Sequence, residues 1–161
     1  MARRTLALVL LVLGSAAAAE PNADLIVVEK SKRTLQLFQH GTLIKTYRVA
    51  LGGHPVGPKR QRGDEKTPEG EYTIDGHLPH SHYHMAPHVS YPNAQDSARA
   101  KQAGVDPGDA ILIHGWPNGQ GAIGAAHRLH DWTLGCIAVT DSEIEEIYKL
   151  VPNGPRILIK P

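Results

Sequence analysis

Short runs in which apolar and polar positions alternate recur along the chain, the signature of strands that bury one face. Residues 24–29 form a compact β-branched run, 34–38 read Thr-Leu-Gln-Leu-Phe, and 43–51 resume after a His40-Gly41 turn. With 30–33 as a polar turn, these three predict a meander. Gly and Pro crowd 52–63, which reads as an exposed loop, and Thr67-Pro68-Glu69-Gly70 turns into a strand at 71–75. Residues 76–92 mix His and Pro without a period and read as irregular. A short helix is predicted over 94–102 with Asn93 as its cap, and strand 110–114 follows the Pro107-Gly108 turn. Residues 115–134 read as a long Gly-rich loop and 135–139 as a short strand. One segment has firm helical spacing. Thr140 and Glu143 make a capping box, acidic residues crowd the first turn, and Ile144, Ile147, Tyr148 and Val151 share a face before Pro152-Asn153-Gly154. A last strand at 156–160 brings the count to seven or eight. The predicted fold class is mainly β: a sandwich-like or barrel-like domain with one firm C-terminal helix and few other short helices.

The start of the chain breaks this pattern. Arg3 and Arg4 precede an apolar run at 5–13, Gly14-Ser15 interrupt it, and the alanines at 16–19 offer an Ala-x-Ala cleavage site. That order predicts a secretory signal peptide at 1–19, and its apolar run is too short to span a bilayer. The remainder, 20–161, reads as a single domain in the periplasm or another extracytoplasmic compartment. A chain of 161 residues, 41% hydrophobic and 20% charged, can build a globular core. Removing Arg3 and Arg4 changes the net charge from +1 to −1, with 15 basic against 16 acidic residues. Charge therefore makes no case for nucleic acid or an anionic membrane. No further apolar run suggests a membrane span.

A single cysteine excludes an intramolecular disulfide and a Cys-based zinc finger. In an oxidising compartment an unpaired thiol is buried and inert, an intermolecular partner, or a working nucleophile. The surroundings of Cys136 point to the last. Gly135 permits close backbone approach, so the N–H groups at 135 and 136 can face a developing oxyanion. A working thiol also needs a base. His114, in Ile113-His114-Gly115, closes an apolar strand. Rigid backbone there can aim an imidazole at a neighbouring strand carrying Cys136.

These segments resemble the YkuD-type L,D-transpeptidase catalytic domain of bacterial cell-wall enzymes. The resemblance rests on Thr67-Pro68-Glu69-Gly70-Glu71-Tyr72, Ile113-His114-Gly115 and Thr133-Leu134-Gly135-Cys136-Ile137-Ala138-Val139. Ser90-Tyr91-Pro92-Asn93 and Asp131-Trp132-Thr133 are similar to a subgroup of it. It covers about 24–161 and implies a β-rich sandwich-like domain. Cys136 would be the nucleophile, His114 its base, Gly115 the carbonyl that orients the imidazole, and Gly135 part of the oxyanion hole. The implied partners are peptidoglycan tetrapeptide stems. Attack on the carbonyl of the third residue would expel D-Ala and leave an acyl-thioester, which an amine or water then captures. The same chemistry allows a hydrolase, either an L,D-carboxypeptidase or an amidase that releases a wall-linked protein. A non-catalytic wall-binding module with an inert thiol is the alternative of a different class. No metal or other cofactor is expected. Two departures stand out. Leu134 replaces the His that many members carry beside the Gly, and Ala138 replaces an Arg, leaving Arg128 as a candidate cation from the long loop.

Other residues admit two readings each. His77, His80, His82, His84 and His88 have spacings that can present imidazoles to a metal, but Pro79 and Pro87 interrupt them and no carboxylate lies between. They read as surface or substrate-contacting histidines. His127 and His130 are alternative bases. Tyr91, Trp116 and Trp132 are core staples or walls of a peptide cleft, with His127, Arg128 and Thr133 as further candidate substrate contacts. Lys59, Arg60, Arg62 and Lys66 form a solvated basic stretch or an attraction for an anionic wall polymer.

Overall fold

The computed structural model describes residues 22–78 and 81–161. The predicted signal peptide and His80 lie outside the described residues. In chain order the strands are β1 (Leu25–Glu29), β2 (Thr34–Gln39), β3 (Thr42–Arg48), β4 (Gly70–His77), β5 (Pro87–Val89), β6 (Ile111–His114), β7 (Ile137–Ala138) and β8 (Arg156–Lys160). Two α-helices, α1 (Ala94–Ala103) and α2 (Asp141–Leu150), and a 3-10 segment at Gly121–Leu129 complete the fold. The first three strands form the expected antiparallel meander. Alternation selects its buried face, with Ile26, Val28, Leu35 and Leu37 sealed from solvent.

The remaining strands extend this meander into one mixed sheet, ordered β3-β2-β1-β8-β4-β5-β6-β7. The last strand enters its middle, parallel to β1 and antiparallel to β4. The sheet also curls until its ends meet. Just beyond β3, Ala50 bridges Ala138 of β7 through N–H to carbonyl bonds of 3.0 and 2.9 Å. That closure brings the loop after β3 against the turn before β7.

Both α-helices carry the caps their sequences predict: Asn93 with Asp96 for α1 and Thr140 with Glu143 for α2. The core is a single cluster in which Ile144, Ile147, Leu150 and Val151 pack with Ile111, Ile113, Ile137 and Val139. Tyr148, expected on that face, is only half-buried. It meets the edge of the His77 ring at 4.3 Å, and Leu150 completes the stripe instead. The segment read as irregular is partly strand: β4 runs on to His77, and β5 occupies 87–89. Pro87 is tolerated because it opens that strand, where a missing donor matters least. The long loop at 115–134 holds the 3-10 segment, kinked at Gly124.

Candidate active site

The site grows from one strand pair. β6 and β7 run parallel with Ile113 opposite Ile137 and His114 opposite Ala138. Side chains alternate, so Ile111, Ile113, Ile137 and Val139 enter the core while Leu112, His114 and the adjoining Cys136 face the other way. The Leu112 N–H donates to Cys136 Sγ at 3.4 Å. Thiol and imidazole therefore share one face and line one cavity of about 560 Å³.

His114 is fully buried. Its Nδ1 lies 2.6 Å from the Gly115 carbonyl. A carbonyl only accepts, so Nδ1 carries the proton and Nε2 presents a lone pair. Nε2 has no hydrogen-bond partner among the described residues. The ring is held on two sides, stacked on Tyr83 at 3.9 Å and meeting the edge of Trp132 at 5.8 Å. Gly115 leaves room for its neighbours: a Cβ there would lie 2.5 Å from Asp141 Oδ1, which accepts from the Trp116 N–H at 2.8 Å, and 3.1 Å from the His84 carbonyl. The first residue of α2 thus clamps the turn that orients the imidazole.

The turn before Cys136 is equally constrained. Thr133 Oγ1 donates to the Cys136 carbonyl at 2.7 Å and accepts from the Gly135 N–H at 3.1 Å. Gly135 sits at φ +135°, and a Cβ there would lie 2.7 Å from the Lys66 carbonyl. With the Gly135 N–H bound internally, the Cys136 N–H is the backbone donor left beside the sulfur. Cys136 itself is half-buried, so its thiol is reachable from the cavity.

Burial shapes the charge of both groups. Desolvation pushes the His114 imidazole down to about 4, against the opposing bond to Gly115. Burial pushes the Cys136 thiol up, only partly offset by the Leu112 N–H and the Lys59 ammonium. Both shifts favour a neutral thiol beside a neutral imidazole. A neutral imidazole with a free Nε2 can accept a proton from a thiol that attacks a carbonyl, which is the chemistry this cavity wall can support.

The other candidates divide. Thr133 lines the cavity and shapes the turn before Cys136. Trp132 touches His114 and is itself stacked on Trp116 at 5.2 Å, so Trp132 braces the imidazole directly and Trp116 through it, and neither lines the cavity. His127 is buried behind Trp116, at 5.8 Å, and lies outside the Cys136 cavity, as does the exposed His130. Arg128 is paired with Glu143 of α2 and is not a cavity cation. Tyr91 belongs to the core, its hydroxyl donating to the Pro107 carbonyl at 2.7 Å, and it does not line the cavity. The histidines of 77–88 diverge: His84 to Glu145, His88 to Asp75, His77 to Tyr148, and His82 to the cavity mouth. Among the described residues no three His, Cys, Asp or Glu side chains are grouped to hold a metal. In the basic stretch Lys59 is paired with Asp64 and Arg62 with Asp106 and Asp109, while Lys66 donates to the Val56 carbonyl and Arg60 is exposed. A larger hollow of about 770 Å³ follows α2, lined by Ser142, three glutamates, Lys149 and Leu150, without a cysteine or histidine in its wall.

Sequence reading missed Tyr83, Lys59 and Leu134 as cavity residues. Tyr83 is placed by backbone pairing between 82–84 and 115–118, including His84 N–H to the Trp116 carbonyl at 2.9 Å. That stretch is too short for periodicity to reveal. Leu134, 76% exposed at the rim, could have been noticed as an apolar residue inside a turn.

Comparison with known proteins identifies the family of this fold. Residues 23–159 match the model of the YkuD family, described as the L,D-transpeptidase catalytic domain. YafK of Escherichia coli is 30% identical over 135 residues, covering 80% of this chain and 47% of the relative. YkuD of Bacillus licheniformis is 29% identical, covering 84% of this chain and 65% of the relative. The chain thus spans about half to two thirds of the curated relatives it matches. Among solved structures, Bd1075 of Bdellovibrio bacteriovorus superposes with a TM-score of 0.60 at 26% identity, over 86% of this chain and 48% of that one. The helical cell shape determining protein Pgp2 of Campylobacter jejuni superposes with a TM-score of 0.65 at 24% identity, over 88% of this chain and 49% of that one. An L,D-transpeptidase from Mycobacterium smegmatis shares the fold, with a TM-score of 0.58 at 15% identity, over 86% of this chain and 59% of that one.

Proposed function

The chain belongs to the YkuD family of L,D-transpeptidase catalytic domains, and on that premise we propose that it is an exported cysteine acyltransferase acting on peptidoglycan tetrapeptide stems. The observation that carries this reading is the unpartnered Nε2 of His114, buried in the cavity and on the strand face that also present Cys136. An inert structural thiol has no use for an imidazole held in one tautomer beside it.

In the first step His114 Nε2 takes the thiol proton as Sγ bonds to the carbonyl carbon of the third stem residue. The Cys136 N–H faces the oxyanion that forms. Nε2 then returns the proton to the departing amine of the terminal D-Ala, and the C–N bond breaks to leave a thioester. In the second step an amine attacks the thioester, loses its proton to Nε2, and the thiol is restored. Water in place of the amine makes the protein a hydrolase by the same route. The apolar run and alanines before residue 20 support export.

Incubation of the purified protein with disaccharide-tetrapeptide should release D-Ala and yield an amine-captured product. Cys136→Ala should abolish turnover, and His114→Ala should lower it by about a hundredfold or more. Undiminished turnover by Cys136→Ala would overturn the reading. Product masses that gain water without amine capture would assign the hydrolase.

A further inference from the structure

One peptide group orients the imidazole, and both of its ends are bound by side chains. The Gly115 carbonyl accepts from His114 Nδ1 at 2.6 Å. The N–H of the same amide belongs to Trp116 and donates to Asp141 Oδ1 at 2.8 Å. The bond between residues 115 and 116 is trans, so its oxygen and hydrogen point in opposite directions within one plane. Imidazole, amide and carboxylate therefore form one hydrogen-bonded chain, and the acyl-transfer steps above make no use of its far end.

The flanking peptide groups are held by backbone alone. The His114 carbonyl accepts from the Val139 N–H at 2.9 Å, the Gly115 N–H donates to the His84 carbonyl at 3.0 Å, and the Trp116 carbonyl accepts from the His84 N–H at 2.9 Å. The turn is thus anchored on both sides of the 115–116 amide without help from Asp141. What Asp141 adds beyond a further anchor is a negative charge.

The surroundings keep that charge directed at the amide. Two backbone segments approach the carboxylate at glycines: a Cβ at 115 would lie 2.5 Å from Oδ1, and one at 121 would lie 2.1 Å from Oδ2. Asp141 is the first residue of α2, behind the Thr140 cap, where the helix dipole favours an anion. Glu143 and Glu145 of the same helix are engaged by Arg128 and His84, whereas Asp141 has no cationic partner among the described residues. Hydrogen bonds in series polarise one another. An anion on the N–H shifts electron density toward the carbonyl oxygen, which then holds the Nδ1 proton more firmly.

We propose that Asp141 is a positioning residue of the site, a third member behind Cys136 and His114 that acts through the 115–116 amide. It polarises the Gly115 carbonyl, keeps the imidazole in the tautomer that leaves Nε2 free, and steadies the imidazolium that forms when Nε2 has taken the thiol proton. A carboxylate bonded directly to a catalytic imidazole does the same work in serine hydrolases; here one peptide group stands between them. The effect on turnover rests on the reading of His114 as the base, while the effect on the imidazole proton does not.

Nitrogen–proton correlation spectra of histidine-labelled protein at neutral pH read the ring directly, with His114 assigned by the resonance that His114→Gln removes. The wild type should show His114 protonated at Nδ1, and a ring protonated at Nε2 instead overturns the proposal without any variant of Asp141. Asp141→Asn keeps the side-chain length and an oxygen for the Trp116 N–H but removes the charge. It should move the Nδ1 proton upfield. It should also lower kcat on stem tetrapeptides about tenfold with KM unchanged, the difference between a charged and a neutral acceptor. Asp141→Ala should lower kcat at least as far. A clamp that only holds the turn predicts an unmoved proton and wild-type kcat in Asp141→Asn, and that result refutes the relay. If the wild type turns over no stem peptide while the Nδ1 proton still shifts in Asp141→Asn, acyl transfer fails and the relay stands.

Discussion

At His114 the packing that holds the ring also removes its charge. Tyr83 on one face and Trp132 at the edge exclude water, and the imidazole falls to about 4. In the proposed mechanism His114 accepts a proton only when neutral, which it is over all of the range above that value. The pH profile of kcat/KM should stay flat through neutral pH and fall only as pH drops through about 4. Tyr83→Ala opens one face to water and should move this acid limb up toward about 6.5, the value of a solvated imidazole. A wild-type limb already near 6.5 would show that the ring is hydrated. Cys136 and His114 were legible as a pair because each follows or precedes a glycine at a strand end. Tyr83 and Lys59 were not, because their neighbours in sequence say nothing about which ring or sulfur they face.

At the scale of elements, one buried lysine pins the loop that supplies Lys59. Lys30, in the turn between β1 and β2, donates to the Gly57 carbonyl at 2.7 Å, the Thr67 carbonyl at 2.9 Å and Glu69 Oε1 at 2.9 Å. All three of its hydrogens are used. Burial lowers its affinity for the proton, and the bond to Glu69 works against that loss. Lys30→Met would strand two carbonyls and a largely buried carboxylate. It should cost about 3 kcal/mol in urea unfolding. Adding Glu69→Leu should recover part of that loss, because the isolated acid is the largest share of the penalty. The strands of the meander and both helix caps were readable from short windows. β5 was not, because its three residues carry no period.

Across the whole molecule, buried and half-buried histidines make the fold sensitive to acid. Burial lowers His77, His114 and His127 below the ordinary imidazole value. The unfolded chain therefore binds more protons than the native one once pH falls below about 6.5, and stability declines with pH from there. For His114 the decline continues until the native imidazole titrates near 4. Thermal melts should show Tm falling steadily over this range. His127→Phe should flatten the slope without lowering Tm at neutral pH, since neither of its ring nitrogens has a partner to lose. An unchanged acid slope in that variant would place the sensitivity elsewhere.

The sequence alone determined what short-range physics controls. Alternation set the strands, side-chain oxygens at 93 and 140 set the helix starts, and glycines marked the two turns of the site. Pairing across long separations was left to the tertiary structure. The insertion of β8 between β1 and β4, and the closure of Ala50 onto Ala138, depend on which faces can be buried together. That closure brings the loop carrying Lys59 beside the thiol, while Tyr83 and Trp132, packed on His114 from other segments, keep its imidazole neutral. Neither result is encoded in any single segment, because burial and electrostatic field are properties of everything packed around a group.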